Sequence, residues 1–121
     1  MRTFLYAALP AAALFVSGPA TAQISSTNDP APGYSSLMHS DFTTAEREIR
    51  AAPVAANDPA RAINLGIALA KTGRRGEAAQ LFQSVLMQDD VEMIVADGQT
   101  VMSHQLAERA LQSLQNGALS R

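Results

Sequence analysis

Four hydrophobic patterns follow one another along this chain. From Phe4 to Val16 the positions are apolar apart from the interruption at Pro10, and no charge falls among them. The stretch QISSTNDPAPGYSS, beginning at Gln23, has little apolar material. From Asp41 to Met87 small and apolar residues recur at the three- and four-residue spacing that gathers them on one face of a helix. Val91 to Met102 is rich in β-branched residues around Asp97-Gly98, and helical spacing resumes from Ser103.

The third pattern resolves into three helices. Thr43 followed three residues later by Glu46 reads as a capping box, and the run Ala45 to Ala52 consists mostly of good helix formers. Pro53 biases Ala52 away from helical angles and ends the segment. Asn57-Asp58-Pro59 supplies a side-chain acceptor and then a proline at the first helical position. That helix continues through Ala62, Leu65, Ala68 and Leu69 to a stop at Gly73. The next spans Gly76 to Met87, with Ala78, Ala79, Leu81, Phe82, Val85 and Leu86 marking its inner face.

Asp97-Gly98 favours a type I′ turn, which predicts a β-hairpin over residues 91–102. A two-residue turn sets Val95 opposite Thr100, Ile94 opposite Val101 and Met93 opposite Met102. Met93, Val95 and Met102 then share one face, with Ile94 and Val101 on the other. One continued helix is the alternative. Ser103 is expected to cap a last helix carrying Leu106, Ala107, Ala110, Leu111 and Leu114, ended by Asn116-Gly117.

The apolar start reads as a secretion signal over residues 1–22. Arg2 and the amino terminus give a positive n-region, Ser17-Gly18-Pro19 breaks any helix, and Ala20-Thr21-Ala22 offers small residues for cleavage after Ala22. The run is shorter than the ~20 residues that span a bilayer. A buried amino-terminal helix is the other reading. Removal of residues 1–22 from the 121 leaves 99, enough for one small domain. Arg2 is the only charge lost, so the remainder carries 8 basic and 11 acidic residues, a formal charge of −3. That balance gives no reason to expect nucleic acid or an anionic membrane as partner. With no cysteine in the chain, thiol catalysis, thiolate metal sites and a lipid-modified cysteine are excluded. The expected organisation is a signal over 1–22, a flexible leader over 23–40 and a folded region over 41–116, in a periplasmic or secreted product with no membrane insertion after signal removal.

The central helices carry a family likeness. From Pro59 to Asp90, Ala62, Leu65, Gly66, Leu69, Gly73, Ala78, Phe82 and Val85 stand where the tetratricopeptide repeat, a helix pair of about 34 residues, places small and apolar side chains. The segment NLGIALAKTGRRGEAAQLFQSVL resembles that family. Gly66 and Ala78 are small where two antiparallel helices must approach, and Leu65, Leu69 and Phe82 fill the space between. Ala62 replaces the usual large aromatic and Asp90 the usual proline. Upstream, DFTTAEREIRAA aligns with RRGEAAQLFQSV at an offset of 33 residues, Ala45 over Ala78 and Ile49 over Phe82. The likeness covers about one and a half repeats, roughly half of the chain after the signal. The whole is similar to small exported tetratricopeptide-type proteins of alphaproteobacteria. It implies a mainly α fold: antiparallel helix pairs of tetratricopeptide type with a β-hairpin and a C-terminal helix. An ordinary helical hairpin with the same spacing is the alternative.

Candidate chemistry is sparse. His39 and His104 are the two histidines, 65 positions apart, and His39 has no acidic residue at helical spacing to orient its ring. Asp89, Asp90, Glu92 and Asp97 lack the alternating spacing and distant glutamate of a calcium loop. Arg74-Arg75, between Gly73 and Gly76, follows no strand and so makes no phosphate-cradling loop. No Gly-x-Ser-x-Gly turn is present. No catalytic residue, metal ligand or cofactor is therefore assigned.

The functional expectation is a non-enzymatic protein-interaction module or adaptor of the cell envelope, binding a protein or peptide. Repeat helix pairs line a groove mainly with the first helix of each pair, which assigns Asn64, Ile67 and Lys71 to the partner. The alternative is a homo-oligomeric structural or assembly protein using the hairpin, with Ile94 and Val101 at its interface, because a lone hairpin is marginal in water and has open edges. An enzyme is the least supported class.

Overall fold

The computed structural model describes Leu5–Tyr6 and residues 31–119. The cleavage point after Ala22 and the leader residues 23–30 lie outside the described residues, as does the signal segment apart from Leu5–Tyr6. The elements run β1 (Leu5–Tyr6), α1 (Tyr34–Met38), α2 (Phe42–Ala51), α3 (Pro59–Lys71), α4 (Arg75–Leu86), β2 (Glu92–Ile94), β3 (Thr100–Met102) and α5 (Ser103–Gln115). The protein is mainly helical, with a small sheet ordered β1-β2-β3.

α3 is the centre of the fold. Asp58 caps it by accepting the Arg61 N–H at 3.3 Å, Pro59 opens it, and Gly73 leaves it at φ 89°. Ten of its thirteen residues are buried, so it presents no single apolar stripe but is surrounded. α1, α2, α4, α5 and β1 all contact it. Its closest partner is α4, reached through the short connection Thr72–Arg74. A Cβ at Gly66 would stand 2.5 Å from the Phe82 ring. Glycine is therefore what lets the fully buried Phe82 seat against α3.

α2 begins two residues earlier than the capping-box pattern at Thr43 implies. Asp41 caps it, accepting the Thr44 N–H at 3.2 Å. Glu46 is thereby left free for ion pairing. Ala45 and Ile49 form its buried face.

Ordered structure also begins before Asp41: within the segment expected as a leader over residues 23–40, Tyr34–Met38 form a helix. α1 buries Tyr34 and Leu37 in the core. Tyr34, Leu37 and Met38 have helical spacing, but so short a piece is hidden among serines and prolines. Gly33, at φ 75°, brings its backbone so near Ile49 that a Cβ would lie 2.5 Å from Cγ1. At the other end the fold runs past residue 116: Leu119 is buried and its N–H bonds the Ser113 carbonyl at 3.2 Å.

Candidate interaction surface

Of the three residues assigned to a partner on α3, two are buried. Asn64 is fully enclosed, Ile67 is 7% exposed, and Lys71, at the end of the helix, is partly buried. They do not line an open groove in this structure. The periodicity identified an inner face correctly, but it could not show that other elements also cover the opposite side of α3.

The hairpin forms, with a register one residue from the expected one. Met93 faces Val101, Glu92 faces Met102 and Ile94 faces Thr100. The Gly98 N–H bonds the Val95 carbonyl at 2.8 Å, and the Val95 N–H bonds the Gln99 carbonyl at 3.0 Å. Gly98 has φ 86°, while Asp97 keeps a negative φ. This is a three-residue loop, a tight turn followed by a left-handed glycine, in place of the type I′ turn with two left-handed residues. Asp97 accepts the Gln99 N–H through its side chain at 3.0 Å and holds the loop in that form.

One extra loop residue changes which side chains share a face. Met93 and Val95 are fully buried and Val101 is 7% exposed, all on the core side. Ile94 is half-buried, and Thr100 and Met102 are exposed on the outer side. Val101 is therefore removed from the interface assigned to it, since it packs on the fold's own core. Ile94 keeps an outward position, with Met102 as its apolar neighbour.

One edge of this sheet is paired with another segment of the same chain. The Ser103 N–H bonds the Val91 carbonyl at 2.7 Å, and with the Val95–Gln99 bond this fixes the alternation. Residues 91, 93 and 95 turn their main-chain groups towards β3, so Glu92 and Ile94 turn theirs the other way. On that side lies β1, parallel, with Leu5 opposite Met93 and Tyr6 opposite Ile94. β1 also contacts α3. Leu5–Tyr6 thus lies in a seat bounded by a helix and a strand edge.

Charges concentrate elsewhere, on the outer side of α2 and the start of α4. Glu46 pairs with Arg50 at 2.9 Å and with Arg74, and Arg50 reaches Glu77 at 4.0 Å. The hydrogen bond from Arg50, then the contact with Arg74, holds the Glu46 carboxyl below its ordinary pKa. Thr44 does the same for Asp41. Asp58 moves the other way, because burial penalises its charge more than the Arg61 and Ala60 N–H groups favour it. Thr43, Glu46, Arg47, Arg50 and Ala51 line a shallow open depression here, on one helix alone.

Both histidines are bonded to main-chain carbonyls. His39 Nδ1–H donates to the Ser35 carbonyl at 2.8 Å, and His104 Nε2–H donates to the Gln88 carbonyl at 2.6 Å. Among the described residues no three His, Asp or Glu gather at metal-holding distance, and no helix is long and apolar enough to cross a membrane.

The residue that sequence reasoning undervalued is Asp90. Its Oδ1 accepts the Ser103 hydroxyl at 3.2 Å and the His104 N–H at 2.9 Å. It caps α5 from across the hairpin while the Ser103 hydroxyl accepts the Val91 N–H at 3.0 Å. Ser103 is thus the first residue of α5 and not its cap. No spacing rule connects Asp90 to a helix thirteen residues on; the absence of a repeat-type proline at that position was the available hint. No protein-family model matches this chain, and no curated protein and no solved structure matches it.

Proposed function

We propose that this protein is a non-enzymatic protein-interaction module of tetratricopeptide type, exported to the periplasm or beyond with its signal removed after Ala22, where it acts as an adaptor. The observation that carries this reading is the seat between α3 and the outer edge of β2, which holds an extended piece of chain in parallel register. The helix pair α3–α4, closed by the Gly66–Phe82 contact, is the scaffold that keeps this seat in place. Asp41, Asp58 and Asp90 are used for helix capping, and Glu46 for surface ion pairing.

Photo-crosslinking in intact cells tests the proposal, with a crosslinker at Ile94 on the edge strand and, separately, at the exposed Gln83 on α4. Repeated capture of one envelope protein from Ile94 and not from Gln83 is the expected result. Capture of nothing beyond background at either position overturns it.

A second reading rests on the outer face of the hairpin, where exposed Met102 lies beside Ile94. In that reading the protein is a homo-oligomeric assembly protein. Sedimentation distinguishes the two, since a monomer at micromolar concentration removes the oligomer.

A further inference from the structure

We infer that the outer edge of β2 is a strand-acceptor site that the chain's own amino terminus fills before export and that a partner's extended segment takes afterwards, in parallel register, with two adjacent apolar residues on the edge and a basic residue about three positions upstream. This rests on the reading of residues 1–22 as a removable signal.

The argument begins with the main chain. Glu92 and Ile94 direct their N–H and C=O groups away from β3, and a strand edge of this kind is a template for another strand. In the described structure Leu5–Tyr6 lies on it, and its register is defined: Leu5 on Met93 and Tyr6 on Ile94. Both residues belong to the segment that cleavage after Ala22 discards. Cleavage therefore opens the edge without any rearrangement of the helices, while α3 stays behind it as a floor. A two-stranded hairpin is marginal by itself, so a third strand is the arrangement this sheet favours.

Charge gives the seat a direction. Parallel pairing runs the incoming segment from Val91 towards Ile94, so residues upstream of the apolar pair approach the exposed Asp89 ahead of β2, the Asp90 carboxylate being held by α5. A basic residue there is complementary, and the occupying sequence has one, Arg2, three residues before Leu5. Strand addition takes its affinity from main-chain bonds and its selectivity from such flanking contacts. The expected partner is thus a protein with an exposed extended stretch of the pattern basic-x-x-apolar-apolar.

The test uses the full chain, purified from cells in which export is blocked, and a fluorescent peptide with the sequence of residues 1–8. In the chain as it stands the edge is filled. In the variant Leu5→Pro with Tyr6→Pro, proline cannot hold the ladder and the edge is emptied. The expected result is saturable binding of the peptide by the variant, at least about tenfold tighter than by the unchanged chain. A peptide carrying the same two prolines must fail to bind. Adding Asp89→Lys to the variant should weaken binding about threefold at low salt, as for an exposed ion pair. Equal binding by both chains, or none by the variant while circular dichroism shows it folded, overturns the acceptor site.

The exported product is assayed beside these, its intact mass fixing its amino terminus. A product lacking residues 1–22 that binds the peptide supports the inference. A shortened product that does not bind overturns it while leaving the signal reading intact. A product retaining residues 1–22 removes the signal reading and with it the opening step, and the proline variant then still decides whether the acceptor edge exists. A shortened product that sediments as a dimer, and becomes a monomer with Ile94→Pro, assigns the edge to a second copy and overturns the partner.

Discussion

The α3–α4 pair and the β2–β3 hairpin are the two regions where this protein's structure is decided, and they are decided differently. In the helix pair many positions vote on the same arrangement: ten buried residues on α3 and three on α4 all fail together if either helix rotates. In the hairpin a single loop residue sets which side chains face inward. Helical register is therefore redundant in this chain, while strand register depends on one turn. The most severe single substitutions should accordingly fall on the helices, and the hairpin should be altered by milder ones.

The largest effect is expected from Phe82→Ala. The ring is fully buried between α4 and α3, and its removal should cost about 3–5 kcal/mol. Urea unfolding would show this as a lower midpoint with little change in slope. A loss below about 1 kcal/mol would mean that Phe82 is not the wedge of the helix pair.

Gly66→Ala tests the same contact from the other side. The added methyl would stand 2.5 Å from the Phe82 ring, and forcing the two apart should cost about 1–3 kcal/mol. Helix propensity alone favours alanine by up to about 1 kcal/mol, so a destabilised variant separates packing from propensity. Combining Gly66→Ala with Phe82→Leu should recover part of the loss, and strict additivity would show that the two residues do not meet.

Asp90→Ala moves the comparison to the hairpin. Asp90 receives both the Ser103 hydroxyl and the His104 N–H, so its loss removes the cap of α5 and should cost about 0.5–2 kcal/mol. Asp89→Ala, at an exposed neighbour, should change stability by less than about 0.5 kcal/mol. Thermal unfolding of the pair of variants is enough, and equal midpoints would remove the capping role.

These differences follow what the sequence could and could not express. α3 was legible from Asn57-Asp58-Pro59 at one end and Gly73 at the other because every signal lies within four residues of the element it governs. The close approach at Gly66, whose partner Phe82 stands sixteen residues on, was expected from the repeat-like spacing of small and large residues and not from a local signal. The hairpin's existence followed from Asp97-Gly98, yet its register did not, because Asp-Gly serves both a two-residue turn and a three-residue loop. The choice depends on whether Val101 or Met102 joins Met93 and Val95 against the core. The burial of Asn64 and Ile67 was equally out of view. It depends on elements distant in sequence, and a helix covered on all sides has the same internal spacing as one with an open groove. Asp90 capping α5 belongs to the same class.

The smallest expected effect compares two acidic residues of opposite sign. Glu46 is held below its ordinary pKa by Arg50 and Arg74. The stability it contributes is therefore present above the unfolded pKa and lost as pH falls through the folded one. Asp58 has a raised pKa, because its burial at the start of α3 outweighs the N–H groups it accepts. Its contribution is fully present below the unfolded value of 3.8 and lost as pH rises through the folded value, so at neutral pH it carries a partly desolvated charge. Asp58→Asn keeps a cap of nearly equal quality and discards that charge. The variant should match the parent near pH 3 and exceed it slightly at pH 7, by a few tenths of a kcal/mol at most. Asp58→Ala, which removes the cap, should instead be weaker at both pH values. Thermal melts at the two pH values check this, and an asparagine variant weaker at pH 7 than at pH 3, relative to the parent, would mean that the carboxylate's attraction to the start of α3 outweighs its burial.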